Sequence, residues 1–205
     1  MNLGFDLKDW DEVEAVEMGD REVLELGGHE IIIKDARLYT SEISGNVSVK
    51  VCVDINGKNE EQAGFFERQY NNNKLSEAKW PAGATRYLST KKESLQYTKG
   101  FVKSLENSNP GFKFDTNKDW SQINGLKCAG VFGLEEYEDS EGKTRAGTKL
   151  VQFRSLDKLS EIKVPSVKML DGTYIDYEEY KTMRKNNQDE TKAKSIEITD
   201  DMMPF

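Results

Sequence analysis

Val47-Ser48-Val49-Lys50-Val51-Cys52-Val53-Asp54-Ile55 is the stretch whose reading decides the fold. Apolar β-branched residues alternate with Ser, Lys, Cys and Asp, so one face of a strand is apolar and the other is not. Ser44-Gly45-Asn46 before it reads as a turn. Asn56-Gly57 after it is the dipeptide that best tolerates the positive φ of a hairpin turn. A return strand is therefore expected near Gln62 to Tyr70. On the other side, His29 to Tyr39, with Ile31, Ile32 and Ile33 at its heart, reads as the preceding strand.

Further along, residues 71–84 read as loop and Thr85 to Ser89 as a short extended piece. From Lys91 to Asn107, Leu95, Phe101, Val102 and Leu105 fall at helical spacing, and Pro110-Gly111 ends the segment. Asp119 to Asn124 reads as a short helix before Gly125. Lys127 to Tyr137 and Thr144 to Arg154 read as strands joined at Ser140-Glu141-Gly142. Residues 161–180 are less regular, with an apolar island from Tyr174 to Tyr180. Residues 181–199 are polar and expected to be disordered. Three strands, a helix and two strands is the element order of an OB-fold. The expected class is mainly β: an OB-fold-like five-stranded barrel with a helix between strands 3 and 4. An acidic N-terminal arm (1–28), the barrel domain (29–180) and a flexible acidic tail (181–205) divide the chain. Two packed antiparallel sheets or an α+β layer give similar strings.

The 205 residues leave room for one compact domain plus extensions. No run of 18 apolar residues exists, so no transmembrane helix is expected. Met1 leads into Asp6, Asp9 and Asp11, unlike a signal peptide, and a cytoplasmic protein is expected. Cys52 and Cys128 sit in strand-like runs and read as buried reduced thiols. With a single histidine, His29, and two separated cysteines, neither a zinc site nor a catalytic triad is expected. No cofactor is expected either.

The net charge of −8 is unevenly placed. Residues 1–28 carry 2 basic and 9 acidic residues, whereas residues 62–105 carry 8 basic and 3 acidic. That basic stretch also holds seven aromatics: Phe65, Phe66, Tyr70, Trp80, Tyr87, Tyr97 and Phe101. Binding of single-stranded nucleic acid needs cations along the phosphates and flat rings for the unpaired bases. Strand parity places Phe66, Arg68 and Tyr70 on one face beside Lys50. The connection beyond adds Trp80, Arg86, Tyr87, Lys91 and Lys92, with Trp80 either a stacking platform or a plug for the barrel's end. Tyr97, Phe101 and Leu105 recur at i, i+4 and i+8 and read as the core face of a helix.

The chain ends Asp200-Asp201-Met202-Met203-Pro204-Phe205. Phe205 offers a ring to an apolar pocket and its carboxylate offers charge to a cation. Pro204 limits the conformations lost on docking, and the two aspartates steer the tail toward a basic surface. This ending resembles the tail of bacterial and phage single-stranded-DNA-binding proteins, with Met203 where an isoleucine or leucine is commoner. The body from residue 27 to 165 also resembles phage proteins of this size in pattern: a Gly-Gly turn, a hairpin, a helical middle and a last strand into Phe153-Arg154-Ser155-Leu156-Asp157-Lys158-Leu159. The resemblance implies a non-enzymatic protein that coats single-stranded DNA in replication or recombination within a bacterial host. It also implies that replication and recombination proteins dock on residues 200–205. No membrane partner is expected, and homo-oligomerisation stays open.

Two other classes compete. A protein-interaction module would use the tail without binding nucleic acid. A metal-dependent nuclease would need paired carboxylates such as Glu135-Glu136 or Glu178-Glu179, but neighbours on a strand point to opposite faces.

Overall fold

The structure, a computed structural model, describes residues 22–56, 61–72 and 79–196, with side chains described as far as residue 186. In chain order it has β1 (Gly27–Thr40), β2 (Val47–Ile55), α1 (Phe65–Asn72), β3 (Thr85–Ser89) and α2 (Leu95–Ser108). Then come β4 (Lys127–Glu138), β5 (Thr144–Arg154), β6 (Val167–Lys168), β7 (Tyr174–Ile175) and α3 (Tyr177–Ile196). Among the described residues, no helix is long and apolar enough to cross a membrane.

The chain is mainly β. β2 pairs antiparallel with β1 on one edge and with β3 on the other. β4 runs antiparallel along the far edge of β1, from Gly27↔Phe132 to Ile32↔Lys127. Past β1 it meets β6 in parallel at Glu135↔Lys168, while its opposite edge is taken by β5. Four of the five expected strands are thus present and Thr85–Ser89 stands in for the other, in the order β3-β2-β1-β4-β5, within an open mixed sheet of seven. No ladder joins β3 to β5 among the described residues. The 3₁₀ turn Ala82–Ala84 that leads into β3 comes close to β5: a Cβ on Gly83 would stand 2.6 Å from the Thr148 carbonyl oxygen.

The alternation of β2 has the expected result on one face. Val49, Val51, Val53 and Ile55 are buried with Ile31, Ile33, Phe132 and Leu150. Each such side chain contributes about 1.5–3 kcal/mol relative to exposure. Phe101 and Leu105 of α2 and Phe65 and Phe66 of α1 complete this core. The other face is not open along its whole length. Cys52 and Asp54 are buried as well, because α1 and Trp80 cover that end of β2. Asp54 Oδ1 accepts the Ile55 and Phe66 amides at 2.8 and 2.9 Å, and Oδ2 accepts the Glu67 amide at 3.3 Å. A strand carboxylate therefore caps the first turn of α1. Burial pushes the Asp54 carboxyl above its ordinary pKa, against the pull of these three bonds. Both cysteines are buried free thiols, and burial pushes each pKa up.

Three expectations are corrected. Gln62 to Tyr70 is not a return strand but a turn followed by α1, anchored on Asp54; the third strand is Thr85–Ser89. Tyr97 does not join Phe101 and Leu105 in the core but is 70% exposed, because α2 buries only the stripe through Thr98, Phe101 and Leu105. Residues 181–196 are not disordered but continue α3. That helix begins with Asp176 Oδ1 accepting the Glu178 amide at 2.8 Å. It is pinned by the buried Tyr180, whose hydroxyl donates to Glu136 Oε1 at 3.3 Å and accepts from Arg184 Nε at 2.9 Å. Residues 197–205 lie outside the described residues. So do residues 1–21 of the acidic arm, whose end packs onto the sheet: Leu24 is buried and Glu25 N donates to Gln62 Oε1 at 2.9 Å.

The segment after β5 lies across β1 and β4. A Cβ on Gly28 would meet Ile162 Cβ at 2.9 Å, and one on Gly133 would meet Pro165 Cγ at 2.6 Å. The proline ring cannot swing aside. Gly133→Ala is therefore expected to cost about 1–3 kcal/mol, as overpacking does. Urea denaturation measures it, and a loss below about 0.5 kcal/mol would show that the Pro165 segment yields freely.

Candidate nucleic-acid interface

The register of the first three strands assembles a surface that faces away from the core. Val49, Val51 and Val53 point inward, so Lys50 points outward with its partners Arg37 on β1 and Tyr87 on β3. One step along, Tyr39, Ser48 and Ser89 share the same face. The Tyr39 and Tyr87 rings touch across β2, their centroids 5.3 Å apart and their planes tilted by 54°. Tyr87 is 49% exposed and Tyr39 is 39% exposed. Arg37 lies 3.4 Å from Asp35, an exposed pair that leaves the guanidinium open to water. Burial first, then Tyr39 and Cys52, push the Tyr87 phenol up, with Arg37 opposing. Tyr87 is therefore a neutral ring with a hydroxyl donor throughout the physiological range.

A depression of about 380 Å³ continues this face toward β5. Lys50, Lys79, Arg86 and Lys149 line it, together with the rings of Tyr87 and Trp80. Its one carboxylate is Glu135, which is ion-paired to Lys168. Among the described residues, no ion pair neutralises Lys50, Lys79, Arg86 or Lys149. Chemically this is two exposed rings on a sheet, bordered by cations on four strands.

Of the residues singled out in the sequence, Lys50, Arg86 and Tyr87 come together here. Lys91 and Lys92 lie exposed just past β3, where Lys92–Ser94 forms a 3₁₀ turn. The other four are placed differently. Phe66 is 2% exposed and packs between Phe65 at 5.0 Å and Phe132 at 5.6 Å. Arg68 is held by Glu22 at 2.6 Å and by the Ala63 carbonyl. Tyr70 lies against Trp80, ring centroids 5.4 Å apart. In a helix, positions 66, 68 and 70 fan out over different directions, so the face expected from strand parity does not exist. Trp80 is half-buried: its Nε1 donates to the Val53 carbonyl at 2.9 Å and its ring packs on the core while also lining the depression. Asp200, Asp201, Met202, Met203, Pro204 and Phe205 lie outside the described residues.

Arg37, Tyr39 and Lys149 were missed. An unbroken period of two from Ile31 and Ile33 would turn Arg37 and Tyr39 inward. The register of β1 shifts between Ile33 and Asp35, and everything after it changes face. The pattern Ile33-Lys34-Asp35-Ala36-Arg37 carries the signal, because only Ala36 among its last three residues suits a core. The carboxylate pair Glu135-Glu136 separates as strand neighbours must: Glu135 goes to Lys168, and Glu136 to Tyr180 and Arg184. The chain matches no protein-family model and no curated protein.

Proposed function

We propose that this protein binds single-stranded DNA on the outer face of β1, β2 and β3, as an OB-type nucleic-acid-binding domain without enzymatic activity. The observation that carries the reading is the exposed Tyr39–Tyr87 pair with Arg37 and Lys50 in the same cross-strand rows. Rings exposed in pairs on a sheet serve unpaired bases, which stack on any flat π face. Cations beside them serve phosphates. The strand order β3-β2-β1-β4-β5 with α2 between β3 and β4 supports an OB-type domain, with β3 and β5 as its seam. The tail from Asp200 to Phe205, by its resemblance to single-stranded-DNA-binding proteins, would recruit replication and recombination proteins.

The test is a titration of a labelled oligo-dT at several salt concentrations, followed by anisotropy. The four cations without an ion pair among the described residues, Lys50, Lys79, Arg86 and Lys149, give an expected slope of log K against log salt of about −3. Duplex DNA of the same length should bind more weakly, because its bases are not available to the rings. A chain ending at Ile196 should bind equally well or better, since Asp200 and Asp201 no longer compete with phosphate. Salt-insensitive association, or none at low salt, would refute the reading in favour of a protein-interaction module.

A further inference from the structure

We infer that the cleft between α2, β3 and β5 is a nucleotide pocket, taking one unstacked base with its flanking phosphates. The inference rests on the proposed single-strand binding and adds a second subsite to it, away from the Tyr39–Tyr87 face. β3 lines the cleft with Arg86 and Leu88 and β5 lines it from Val151 to Arg154, further along both strands than the close approach of Gly83 and Thr148. Its volume is about 580 Å³, inside the range of about 300–1,000 Å³ usual for ligand pockets.

Its lining has one sign of charge. Arg86, Arg154 and Lys158 reach it, and among the described residues no carboxylate lines it. Two rings border it. Phe153 is seated on Phe101 at 4.3 Å and partly exposed, so one of its sides is backed by the core. Tyr97 is 70% exposed and, among the described residues, makes no ring contact or side-chain hydrogen bond. A tyrosine so exposed is free to close over a flat ligand. Gln96 and Gln152 add amide groups able to pair with a base edge.

Gly100 is the independent observation. It sits in the interior of α2, where glycine costs helix stability relative to alanine. Packing does not require it: a Cβ there would meet nothing within 4 Å. Gly100 lines the cleft, one helical turn from Tyr97, so a side chain at this position would occupy the space that the cleft leaves open. The cleft is also continuous with its surroundings. Arg86 belongs both to it and to the depression beside Lys50. Arg154 and Lys158 also border a further depression lined by Lys163. A strand crossing the Tyr39–Tyr87 face therefore has a cationic route past Arg86 into the cleft and out toward Lys163.

The experiment uses the full chain and an oligo-dT carrying 5-iodo-deoxyuridine, cross-linked by light and mapped by mass spectrometry. Adducts on Tyr97 or Phe153 are expected in addition to those on Tyr39 or Tyr87. In parallel, Gly100→Leu should raise or preserve the melting temperature while lowering oligo-dT affinity about tenfold. Gly100→Ala, which adds only a methyl, should lower it less. Adducts confined to Tyr39 and Tyr87, with unchanged affinity for Gly100→Leu, would overturn the pocket while single-strand binding stands. Absence of any binding by the native chain would overturn both. Mapping on the native chain does not depend on how the variant folds.

Discussion

Replacing Tyr39 and Tyr87 together by alanine is expected to weaken binding of oligo-dT by about 100-fold or more. Each base stacked on an aromatic ring is worth about 1–3 kcal/mol, and 1.4 kcal/mol is a factor of ten. Two rings thus carry between about 30-fold and 20,000-fold. Their centroids are 5.3 Å apart, so the two losses are coupled, and the double variant is the informative one. The fold should tolerate the change. Both rings are well exposed, and a cross-strand pair of this kind supports the sheet by about 0.2–1 kcal/mol. Anisotropy gives the affinity and a thermal melt gives the control. A loss under about threefold in a chain that melts normally would remove the sheet face from the binding site.

The second large effect falls on stability. Phe66→Ala is expected to cost about 3–5 kcal/mol, as deletion of a buried phenylalanine does. Against a net stability of about 5–15 kcal/mol for a domain, that is a substantial fraction. The ring lies between Phe65 and Phe132 and ties α1 to β4, so its loss opens a cavity at the centre of the core. Urea denaturation should show an early midpoint with an unchanged slope. Affinity for DNA, measured per folded molecule, should stay within about twofold. If the variant instead unfolds like the native chain and loses DNA, Phe66 is a surface residue and α1 is misplaced.

These two results divide the residues that looked alike in the sequence. Phe66 and Tyr87 are both aromatic residues near basic ones, and composition cannot separate them. What separates them is period. The strands β2, β4 and β5 were legible because their apolar residues recur with short, clean boundaries, whereas β3 was read only as a short extended piece. α1 was not legible, because its first turn is held by Asp54, twelve positions upstream of Phe66 on another element. Nothing local in Phe65–Asn72 announces that cap. The faces of β1 were half legible. The isoleucines marked its core, but the register shift at Lys34 moved Arg37 and Tyr39 outward, and a single inserted residue is easily read through. α3 was hidden by polarity. Its anchor is Tyr180, whose partner Glu136 comes from a distant part of the chain. The cleft was beyond any local pattern, since α2, β3 and β5 meet only in three dimensions.

The pairing of β1 with β4 has a consequence in time. Ile31 and Cys128 are register partners, yet nearly a hundred residues of chain separate them. At a synthesis rate of about 5–20 residues per second, the β4 side of β1 stands unpaired on the ribosome for about 5–20 s. During that interval Ile31-Ile32-Ile33 is an open edge in a strongly β-forming sequence, the kind of segment that templates aggregation. Glu30 and Lys34 bracket it with opposite charges, and Lys127, which later pairs with Glu30, arrives with the strand that closes the edge. The residues that finish the sheet are thus also the ones that end the period of exposure.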